Sequence, residues 1–333
     1  MALRIYREND ANLDVLKGRT IAVIGYGNQG RAHALNLRDS GLMVRVGQRS
    51  GTSFERARAE AFNPIPVSEA VHAAGLVVMA LPDETAAAIY AESIAPALRA
   101  GQTLGFVHGF NIRFGLIVPP EGVDVIMVAP KGPGTLLRSL YVEGKGLPAL
   151  VAVERDASGR AWETALAWAT GIGSVRAAVI ESTFAAETET DLFGEQVVLC
   201  GGVTALMKAA FDTLVEAGYA PEFAYLECAH ELKQIVDLLY EAGLSGMYAR
   251  ISNTAKYGGL TRGPRMVDEG ARQEMRKVLD EIRSGAFARE WIAECRAGKP
   301  RMQPLQARDV AGPFEQAGRT VRQWMPWLAD QSG

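Results

Sequence analysis

The chain has 333 residues, of which 48% are hydrophobic and 22% are charged, and its formal net charge is -3. This balance excludes a disordered chain, and the length fits two domains that can each bury a core. The slightly acidic charge provides no broad basic surface, so we do not expect a nucleic acid as partner.

The cysteines and the apolar runs indicate neither secretion nor a membrane. Cys200, Cys228 and Cys295 are widely spaced and form no CxxC pair, which favours a reducing compartment. The first eight residues carry charges that interrupt any apolar run. The longest apolar stretches, such as Val197–Met207, are shorter than the roughly 20 residues of a membrane-spanning helix. We therefore predict a soluble, cytoplasmic protein.

The first half of the chain alternates short apolar runs with Ala-rich amphipathic stretches, a pattern typical of repeated βαβ units. The runs are mostly not alternating, which indicates strands buried on both faces of a mainly parallel sheet. The predicted strands are Ile21–Gly25, Met43–Gly47, Leu76–Leu81, Thr103–His108, Val125–Ala129, Leu150–Val153 and Val175–Ile180. We predict a Rossmann-like α/β domain over residues 1–181.

The second half has a different pattern. After Ser182, apolar residues recur at three- and four-residue spacing, which is typical of amphipathic helices. The clearest stretches are Leu192–Ala217, Glu222–Ala242 and Glu269–Arg283, and glycines and prolines separate them. We predict an all-helical domain over residues 182–333.

A glycine-rich motif follows the first predicted strand and precedes the helix-like stretch Arg31–Arg38. It consists of Gly25, Tyr26, Gly27, Asn28, Gln29 and Gly30. In this context the glycines permit a tight turn, close approach of a pyrophosphate and close packing of the helix. An isolated GxGxxG is often a plain turn, but its position after a strand favours dinucleotide binding.

The segment after the second predicted strand indicates which dinucleotide is bound. NAD-preferring domains usually carry an acid here for the ribose hydroxyls, yet no acid occurs between Gly41 and Phe54. Arg49, Ser50 and Ser53 instead offer a guanidinium and hydroxyls that suit a 2′-phosphate. We predict NADPH as the cofactor, with a solvated polar turn as the alternative.

Two pairs of acids in the helical half have four-residue spacing. Asp191 and Glu195 form the first pair, and Glu227 and Glu231 form the second. This spacing places both carboxylates of a pair on one helix face, where a cation should offset their repulsion. Oxygen-only ligands suit Mg²⁺ or Mn²⁺, so a two-metal site is plausible. The alternative is a solvated face or pairing with a base such as Lys233.

Two further polar residues end predicted strands. His108 and Lys131 follow apolar runs, and the carboxyl ends of parallel strands face the cofactor crevice. Such a His could relay protons and such a Lys could stabilise negative charge, although lone residues of these types are usually structural. We expect Glu187 and Glu189 to favour the N-terminus of their helix rather than to bind metal.

The combination resembles the shorter, single-helical-domain class of ketol-acid reductoisomerases over nearly the whole chain. The segments that carry the resemblance are Gly25–Gly30, His108–Phe110, Ala129–Gly134, Glu187–Gln196, Glu216–Pro221, Glu227 with His230–Lys233, and Ile251–Thr254. The resemblance implies a knotted helical domain, which is an exception to the usual topology. It also implies alkyl migration in 2-acetolactate or 2-aceto-2-hydroxybutyrate, followed by reduction with NADPH.

The resemblance also assigns roles to residues. It implies that Asp191 and Glu195 bind two Mg²⁺ ions, and that Glu227 and Glu231 complete the site from a partner subunit of an obligatory homodimer, with a higher oligomer possible. Ser252 and Glu231 would bind substrate, while His108 and Lys131 would line the reacting centre. Further cofactor contacts, beyond the glycine-rich motif and the Arg49 loop, would be Pro82, Asp83 and Gly134.

Lys256 departs from the resemblance, because many relatives have an acid at this position, and it puts the local electrostatics in question. Two rival functions remain at this point. A metal-free β-hydroxyacid dehydrogenase would also have a nucleotide-binding domain followed by helices, but it leaves the acidic pairs unexplained. A non-catalytic NADPH sensor would use its helical half to bind a partner.

Overall fold

The computed structural model describes residues 3–331, which divide into two compact units at the Thr190–Asp191 bond. The first unit is an α/β domain and the second is helical, as the sequence predicts. The division lies inside a helix, beyond the predicted boundary at Glu181, which is the last residue of a strand. The two units are described separately.

The first unit contains one eight-stranded sheet with the order β1-β8-β7-β6-β5-β4-β2-β3. Pairing is parallel except where β6 meets β7 and where β1 meets β8. The strands are β1 Ile5–Tyr6, β2 Thr20–Ile24, β3 Met43–Gly47, β4 Leu76–Met79, β5 Thr103–Phe106, β6 Asp124–Pro130, β7 Ala149–Arg155 and β8 Val179–Glu181.

Seven helices lie wholly within the first unit, and an eighth crosses its boundary. They are α1 Asn28–Asp39, α2 Thr52–Ala59, α3 Val67–Ala73, α4 Asp83–Ile89, α5 Phe110–Arg113, α6 Gly134–Val142, α7 Ala161–Gly171 and α8 Phe184–Gly194. A π-helical turn, Tyr90–Ile94, continues α4. Short 3₁₀ turns occur at Glu8–Asp10, Leu13–Leu16, Ala95–Ala97 and Ser174–Arg176.

Three predicted strands are shorter than expected: Leu76–Leu81 ends at Met79, Thr103–His108 ends at Phe106, and Val175–Ile180 begins only at Val179. Val175–Ile180 was expected to be extended, but Ser174–Arg176 forms a 3₁₀ turn and only Val179–Glu181 joins the sheet. The turn begins after Gly173, whose φ of 87° is left-handed, and this reversal of the chain delays the strand.

Two apolar layers cover the two faces of the sheet, as expected for strands buried on both sides. Trp168 is fully buried in one layer, and a Cβ on Gly105 would approach its ring to 2.6 Å. The Trp168 indole N–H donates to Nδ1 of the fully buried His33 at 3.0 Å. Burial lowers the pKa of His33 to about 3, so this histidine is a neutral core residue.

The strand order places the sheet's switch point between β2 and β4. The chain passes from β2 to β3 on one side and then to β4 on the other. Connections that leave in opposite directions open a crevice at the carboxyl ends of the strands, where ligands bind in open α/β sheets. The glycine-rich motif follows β2 and therefore lies at this crevice.

The second unit is mainly helical, with π-helical turns at Glu195–Leu199 and Leu226–His230 and a 3₁₀ turn at Pro326–Gln331. Its helices are α9 Gly202–Glu216, α10 Pro221–Tyr225, α11 Glu231–Arg250, α12 Asn253–Met266, α13 Glu269–Arg283, α14 Ala286–Arg296, α15 Met302–Ala311 and α16 Pro313–Gln323. Gly243, with a φ of 64° and a ψ of -169°, interrupts α11. The predicted helix Glu269–Arg283 is confirmed, whereas Leu192–Ala217 and Glu222–Ala242 are each divided by a π turn.

One helical stretch among the described residues, Phe184–Glu216, has the length and composition of a membrane-spanning segment. It is longer than the uninterrupted apolar run in the sequence, because the helical stretch continues through residues on both sides of that run. A single stretch of this kind is weak evidence of a membrane span. Four acids, Glu187, Glu189, Asp191 and Glu195, lie in its first half, and each would be costly in a bilayer.

Candidate functional site

A cleft of about 550 Å³ lies at the switch point of the first unit. It is lined by the glycine-rich motif, by the end of β3 and by the segment after β4. Eight residues predicted to bind cofactor line it: Gly25, Tyr26, Gly27, Asn28, Gln29, Arg49, Ser53 and Pro82. The sequence did not identify Thr85, Ile89 and Val107, which also line it. A volume of this size is typical of a small-molecule or cofactor site.

Close backbone packing explains why glycines occupy the motif. Gly25 has a φ of 94°, and a Cβ there would lie 2.5 Å from the Ala80 carbonyl oxygen. A Cβ on Gly30 would lie 2.2 Å from the Gly25 carbonyl oxygen. Gly134 at the start of α6 is equally constrained, because its Cβ would meet the Asn28 carbonyl oxygen at 2.1 Å. These approaches place the N-terminus of α1 at the cleft, where it can face an anion.

The predicted phosphate loop borders two cavities. Arg49 lines both the main cleft and a neighbouring cavity of about 540 Å³, while Ser53 lines the first and Ser50 the second. Arg49 and Ser50 are exposed, so their polar groups are available to a ligand. The arrangement fits a dinucleotide that extends from the glycine-rich motif to this loop.

His108 and Lys131 are brought together by a third residue, the carboxylate of Glu187. His108 Nδ1 lies 3.2 Å from Glu187 Oε1, and Lys131 Nζ donates to the same oxygen at 2.8 Å. The Gly109 backbone N–H donates to Glu187 Oε2 at 3.0 Å. The side chain of Glu187 is only 1% exposed, so three donors surround a buried carboxylate.

The charges of this cluster stabilise one another. Burial opposes ionisation of Glu187, but the hydrogen bond and charge of His108, together with Lys131, outweigh it and hold the pKa of Glu187 at about 2. Glu187 is therefore ionised at neutral pH. An ionised acceptor strengthens its hydrogen bonds, so it orients both the imidazole and the ammonium group.

Helix α8 carries Glu187 and is stabilised by a cap at its first turn and by a salt bridge from Arg113 to Glu189. Thr183 Oγ1 accepts a hydrogen bond from the Ala186 N–H at 3.0 Å, which caps the first turn. Arg113 donates to Glu189 Oε1 from Nε at 3.0 Å and from Nη2 at 2.9 Å. Both acids therefore bind side chains of the α/β unit, rather than only favouring the helix N-terminus as the sequence predicted.

The spacing of the acids in the sequence could have grouped Glu187 with the pair Asp191 and Glu195. Glu187, Asp191 and Glu195 follow one another at four-residue intervals, which is the spacing of side chains on one helix face. The prediction treated Asp191 and Glu195 as a pair and left Glu187 outside it. Asp191 follows Glu187 by one turn of α8.

Asp83 also lies near the His108 side chain. Its Oδ2 is 4.0 Å from His108 Nε2, and its Oδ1 and backbone oxygen accept from the Asn111 amide at 3.4 and 3.2 Å. Asp83 does not belong to the lining of the main cleft, although the preceding Pro82 does. Its predicted cofactor contact therefore remains a prediction.

In the second unit one residue of each predicted acidic pair lies in a π-helical turn. Glu195 is the first residue of one π turn, and its carbonyl accepts from the Cys200 N–H at 2.9 Å. Glu227 lies in the other π turn, and Glu231 begins α11 directly after it. Such turns are rare and frequently mark functional sites. Regular α-helical stacking of each pair was predicted, so this is a local correction.

Three of these four acids lie at the surface. Glu195, Glu227 and Glu231 are exposed, and Lys233 donates to Asp237 instead, at 2.5 Å. Within residues 3–331, neither Glu227 nor Glu231 forms a salt bridge. The four carboxylates of the second unit do not gather into one three-ligand group among the described residues. Their oxygen-only donor set fits a hard divalent cation.

Ser252, the predicted substrate contact, is the N-cap of α12. Its Oγ accepts from the Ala255 N–H at 3.1 Å, and the side chain is exposed. Lys256 donates to Asn253 Oδ1 at 3.1 Å one turn further along. Its ammonium group thus lies in the first turns of α12, where the helix dipole favours an anion rather than a cation.

Comparison with known proteins covers both units. A family model described as acetohydroxy acid isomeroreductase, NADPH-binding domain, matches residues 15–178. A model described as ketol-acid reductoisomerase, C-terminal domain, matches residues 184–327. A solved NADH-preferring ketol-acid reductoisomerase from an uncultured archean is 44% identical, with a TM-score of 0.94, over 96% of this chain and 98% of that one.

More distant structures share the fold alone. An NAD-binding semialdehyde dehydrogenase protein from Cupriavidus necator is 19% identical, with a TM-score of 0.63, over 80% of this chain and 99% of that one. A putative oxidoreductase from Jannaschia sp. is 15% identical, with a TM-score of 0.60, over 80% and 97% of the two chains.

The dinucleotide cleft at the switch point and the nucleotide-binding family model together define an oxidoreductase that uses a nicotinamide cofactor. The match over both domains is more specific. The chain belongs to the ketol-acid reductoisomerase family.

The depressed pKa of Glu187 predicts acid sensitivity of the fold. A carboxyl with a folded-state pKa of about 2 and an ordinary value of 4.5 contributes stability that is complete above pH 4.5 and is lost as the pH falls toward 2. The contribution is about 3 kcal/mol, at about 1.4 kcal/mol per pH unit. Urea unfolding between pH 2.5 and 7 measures this loss. As the pH falls, the free energy of unfolding should decrease less steeply for Glu187→Gln than for wild type.

Glu189→Gln provides the matched control, because Glu189 lies on the same helix. We expect the free energy of unfolding of Glu189→Gln to depend on pH more nearly as in wild type than that of Glu187→Gln does. Parallel curves for Glu187→Gln and wild type below pH 4.5 would show that Glu187 is not held ionised by its partners.

Proposed function

We propose that the protein catalyses an Mg²⁺-dependent alkyl migration in 2-acetolactate or 2-aceto-2-hydroxybutyrate and then reduces the product to the 2,3-dihydroxy acid with NADPH. This reaction belongs to the synthesis of branched-chain amino acids. The observation that supports it best is the buried Glu187, which orients His108 and Lys131 one helical turn before Asp191. We place the protein in the cytoplasm.

The residues available fit divalent ions. Asp191 and Glu195 offer carboxylates at the end of α8, and Glu227 and Glu231 offer two more at the start of α11. When bound, Mg²⁺ would hold the substrate's hydroxyl and carbonyl oxygens and act as a Lewis acid. Carboxylate ligands at adjacent helical turns could share such ions, because a carboxylate has two oxygens.

The protein's own groups would handle protons and charge. Lys131 carries an ammonium group that Glu187 orients, so it can donate a hydrogen bond to an oxygen that becomes negative. His108 has one ring nitrogen toward Glu187 and the other toward Asp83, so a proton can be taken up or released at Nε2. The bound nicotinamide supplies the hydride for the second step.

The preference for NADPH rests on the Arg49 loop. Arg49 and Ser53 line the cleft, and no acid lies between Gly41 and Phe54 to bind the ribose hydroxyls. The archaeal relative is described as NADH-preferring, so family membership alone does not decide the preference. The local donors favour a 2′-phosphate.

We also propose a homodimer whose subunits share the active site. Large apolar side chains are exposed on the second unit: Leu199 is 67% exposed, Tyr240 86%, Leu244 60% and Tyr257 68%. So much exposed apolar surface indicates an interface rather than a monomer surface. A partner that covers it would also bring its own Glu227 and Glu231 toward the first acidic pair. A higher oligomer is compatible with this arrangement.

Removing Asp191 should separate metal chemistry from cofactor binding. In Asp191→Asn we expect turnover of 2-acetolactate with NADPH and Mg²⁺ to fall by at least roughly 10³-fold, because the metal loses a charged ligand. NADPH affinity, measured by fluorescence titration, should change less than about twofold, which is well below 1.4 kcal/mol. Asp212→Asn, an exposed acid on α9, is the control.

Wild-type protein that consumes NADPH with 2-acetolactate in the presence of EDTA would favour a metal-free dehydrogenase. Protein that binds NADPH but consumes none with Mg²⁺ present would favour the sensor function. Full activity of Asp191→Asn would remove Asp191 from the metal site.

Subunit mixing tests the shared site. Asp191→Asn and Glu227→Gln should each be inactive alone. If one subunit supplies Asp191 and its partner supplies Glu227, re-equilibrated equal mixtures should recover about a quarter of wild-type activity. About half of the dimers are then mixed, and one of the two sites in each mixed dimer is intact. No recovery in mixtures that have exchanged subunits would place all ligands of a site in one chain.

The Arg49 loop predicts a change in cofactor preference. Combining Arg49→Ala with Ser53→Ala should raise the KM for NADPH by roughly 10- to 100-fold, since charge-assisted hydrogen bonds to the 2′-phosphate are lost. The KM for NADH should change less than about threefold, well under 1.4 kcal/mol. Arg58→Ala removes an equal charge from α2 outside the cleft and controls for long-range electrostatics. Equal losses for both cofactors would exclude this loop as the phosphate site.

A further inference from the structure

A cluster of charged and aromatic side chains contacts the glycine-rich motif through Tyr26. The proposed reaction assigns no role to this cluster. We define the Glu60 cluster as Glu60, Tyr26, Arg31 and Arg38. Glu60 Oε2 accepts from the Tyr26 hydroxyl at 2.8 Å. Arg31 Nε lies 2.9 Å from Oε1 and 3.0 Å from Oε2 of the same carboxylate. Arg38 Nη1 donates to the Glu60 carbonyl oxygen at 2.6 Å.

Glu60 occupies a position where an acid does not help its own helix. It caps the C-terminus of α2, and the helix dipole favours cations at this end. The next residue, Ala61, has a φ of 64°, a left-handed conformation that costs a residue with a Cβ roughly 1 kcal/mol or more. The turn and its acid are therefore stabilised by contacts outside α2, which are those of the cluster.

Those contacts lead directly to the cofactor cleft. Tyr26 is the second residue of the glycine-rich motif, and its ring is only 1% exposed. Its backbone N–H donates to Gln48 Oε1 at 3.1 Å. Gln48 follows β3 and lines the cleft with Arg49. Tyr26 thus connects the motif to the end of β3 through its backbone and to the end of α2 through its hydroxyl.

The surroundings of Glu60 and Tyr26 fix their protonation states at neutral pH. Burial opposes ionisation of Glu60, but hydrogen bonds from Arg31 and Tyr26 hold its pKa below the usual range. Burial, and then the hydrogen bond to Glu60, raise the pKa of Tyr26 far above its usual value. Glu60 therefore remains an ionised acceptor and Tyr26 a neutral donor. Such a charge-assisted bond is stronger than a neutral one.

We propose that Glu60 is a positioning residue for the dinucleotide, which acts through the Tyr26 hydroxyl to fix the glycine-rich motif against the end of β3. It does not touch the cofactor itself. A motif that is ordered before binding loses less conformational entropy when the pyrophosphate binds. This raises the affinity for the dinucleotide. The inference rests on the proposed use of the cleft for a nicotinamide dinucleotide.

Because the pyrophosphate is common to both cofactors, loss of Glu60 should weaken NADPH and NADH by the same factor. This distinguishes Glu60 from Arg49 and Ser53, whose loss should affect NADPH alone. We expect the dissociation constant of each cofactor to rise about tenfold in Glu60→Ala, the factor that corresponds to one charge-assisted hydrogen bond. The kcat at saturating cofactor should stay within about twofold, well under 1.4 kcal/mol.

The test measures binding of both cofactors by fluorescence titration, and KM and kcat in the full enzyme with Mg²⁺ and 2-acetolactate. Glu60→Gln retains an oxygen that can accept from Tyr26, so it should recover part of the affinity that Glu60→Ala loses. Glu55→Ala removes an exposed acid from the same helix and should bind both cofactors like wild type.

A double-mutant cycle with Tyr26→Phe shows whether Glu60 acts through that hydroxyl. If it does, the double variant Tyr26→Phe with Glu60→Ala should bind cofactor no more weakly than the weaker single variant. Additive losses would overturn the route through Tyr26. Wild-type affinity of Glu60→Ala, or a loss confined to NADPH, would overturn the proposal as a whole. Failure of wild type to bind either cofactor would instead refute the proposed function.

Discussion

The buried carboxylate of Glu187 is the interaction on which the catalytic end of the sheet depends. A charge in this environment is stable only when it is paired and hydrogen-bonded, and His108, Lys131 and the Gly109 N–H provide those partners. The same contacts join the ends of β5 and β6 to helix α8. Since Asp191 follows Glu187 on α8, the contacts that satisfy one buried charge also fix the helix that carries Asp191.

The cofactor cleft depends on a different constraint, which is the closeness of backbones. Gly25, Gly30 and Gly134 lie where any side chain would collide with a carbonyl group, so the strand, helix and loop around the pyrophosphate position are fixed by packing. The polar loop at Arg49 is exposed by comparison. This division suits a site that holds the common part of a dinucleotide rigidly.

The helical unit presents its functional groups differently. Glu195 and Glu227 lie in π turns, where the wider hydrogen-bonding pattern interrupts a regular helix. Its apolar residues remain largely exposed, among them Tyr240 and Leu244. Both features are explained if the unit completes its core and its metal site only with a second subunit, as the proposed function requires.

Local patterns in the sequence determined much of this protein. Unalternating apolar runs predicted β2 to β7, helical periodicity predicted the second domain, and the glycine-rich motif after β2 predicted the cleft, because each depends on neighbouring residues alone. Tertiary structure decided the rest. Glu187 became the partner of His108 and Lys131, and Glu60 became the partner of Tyr26, because folding brings distant segments together. No periodicity records such contacts, and the π turns likewise depend on packing that short-range propensity does not encode.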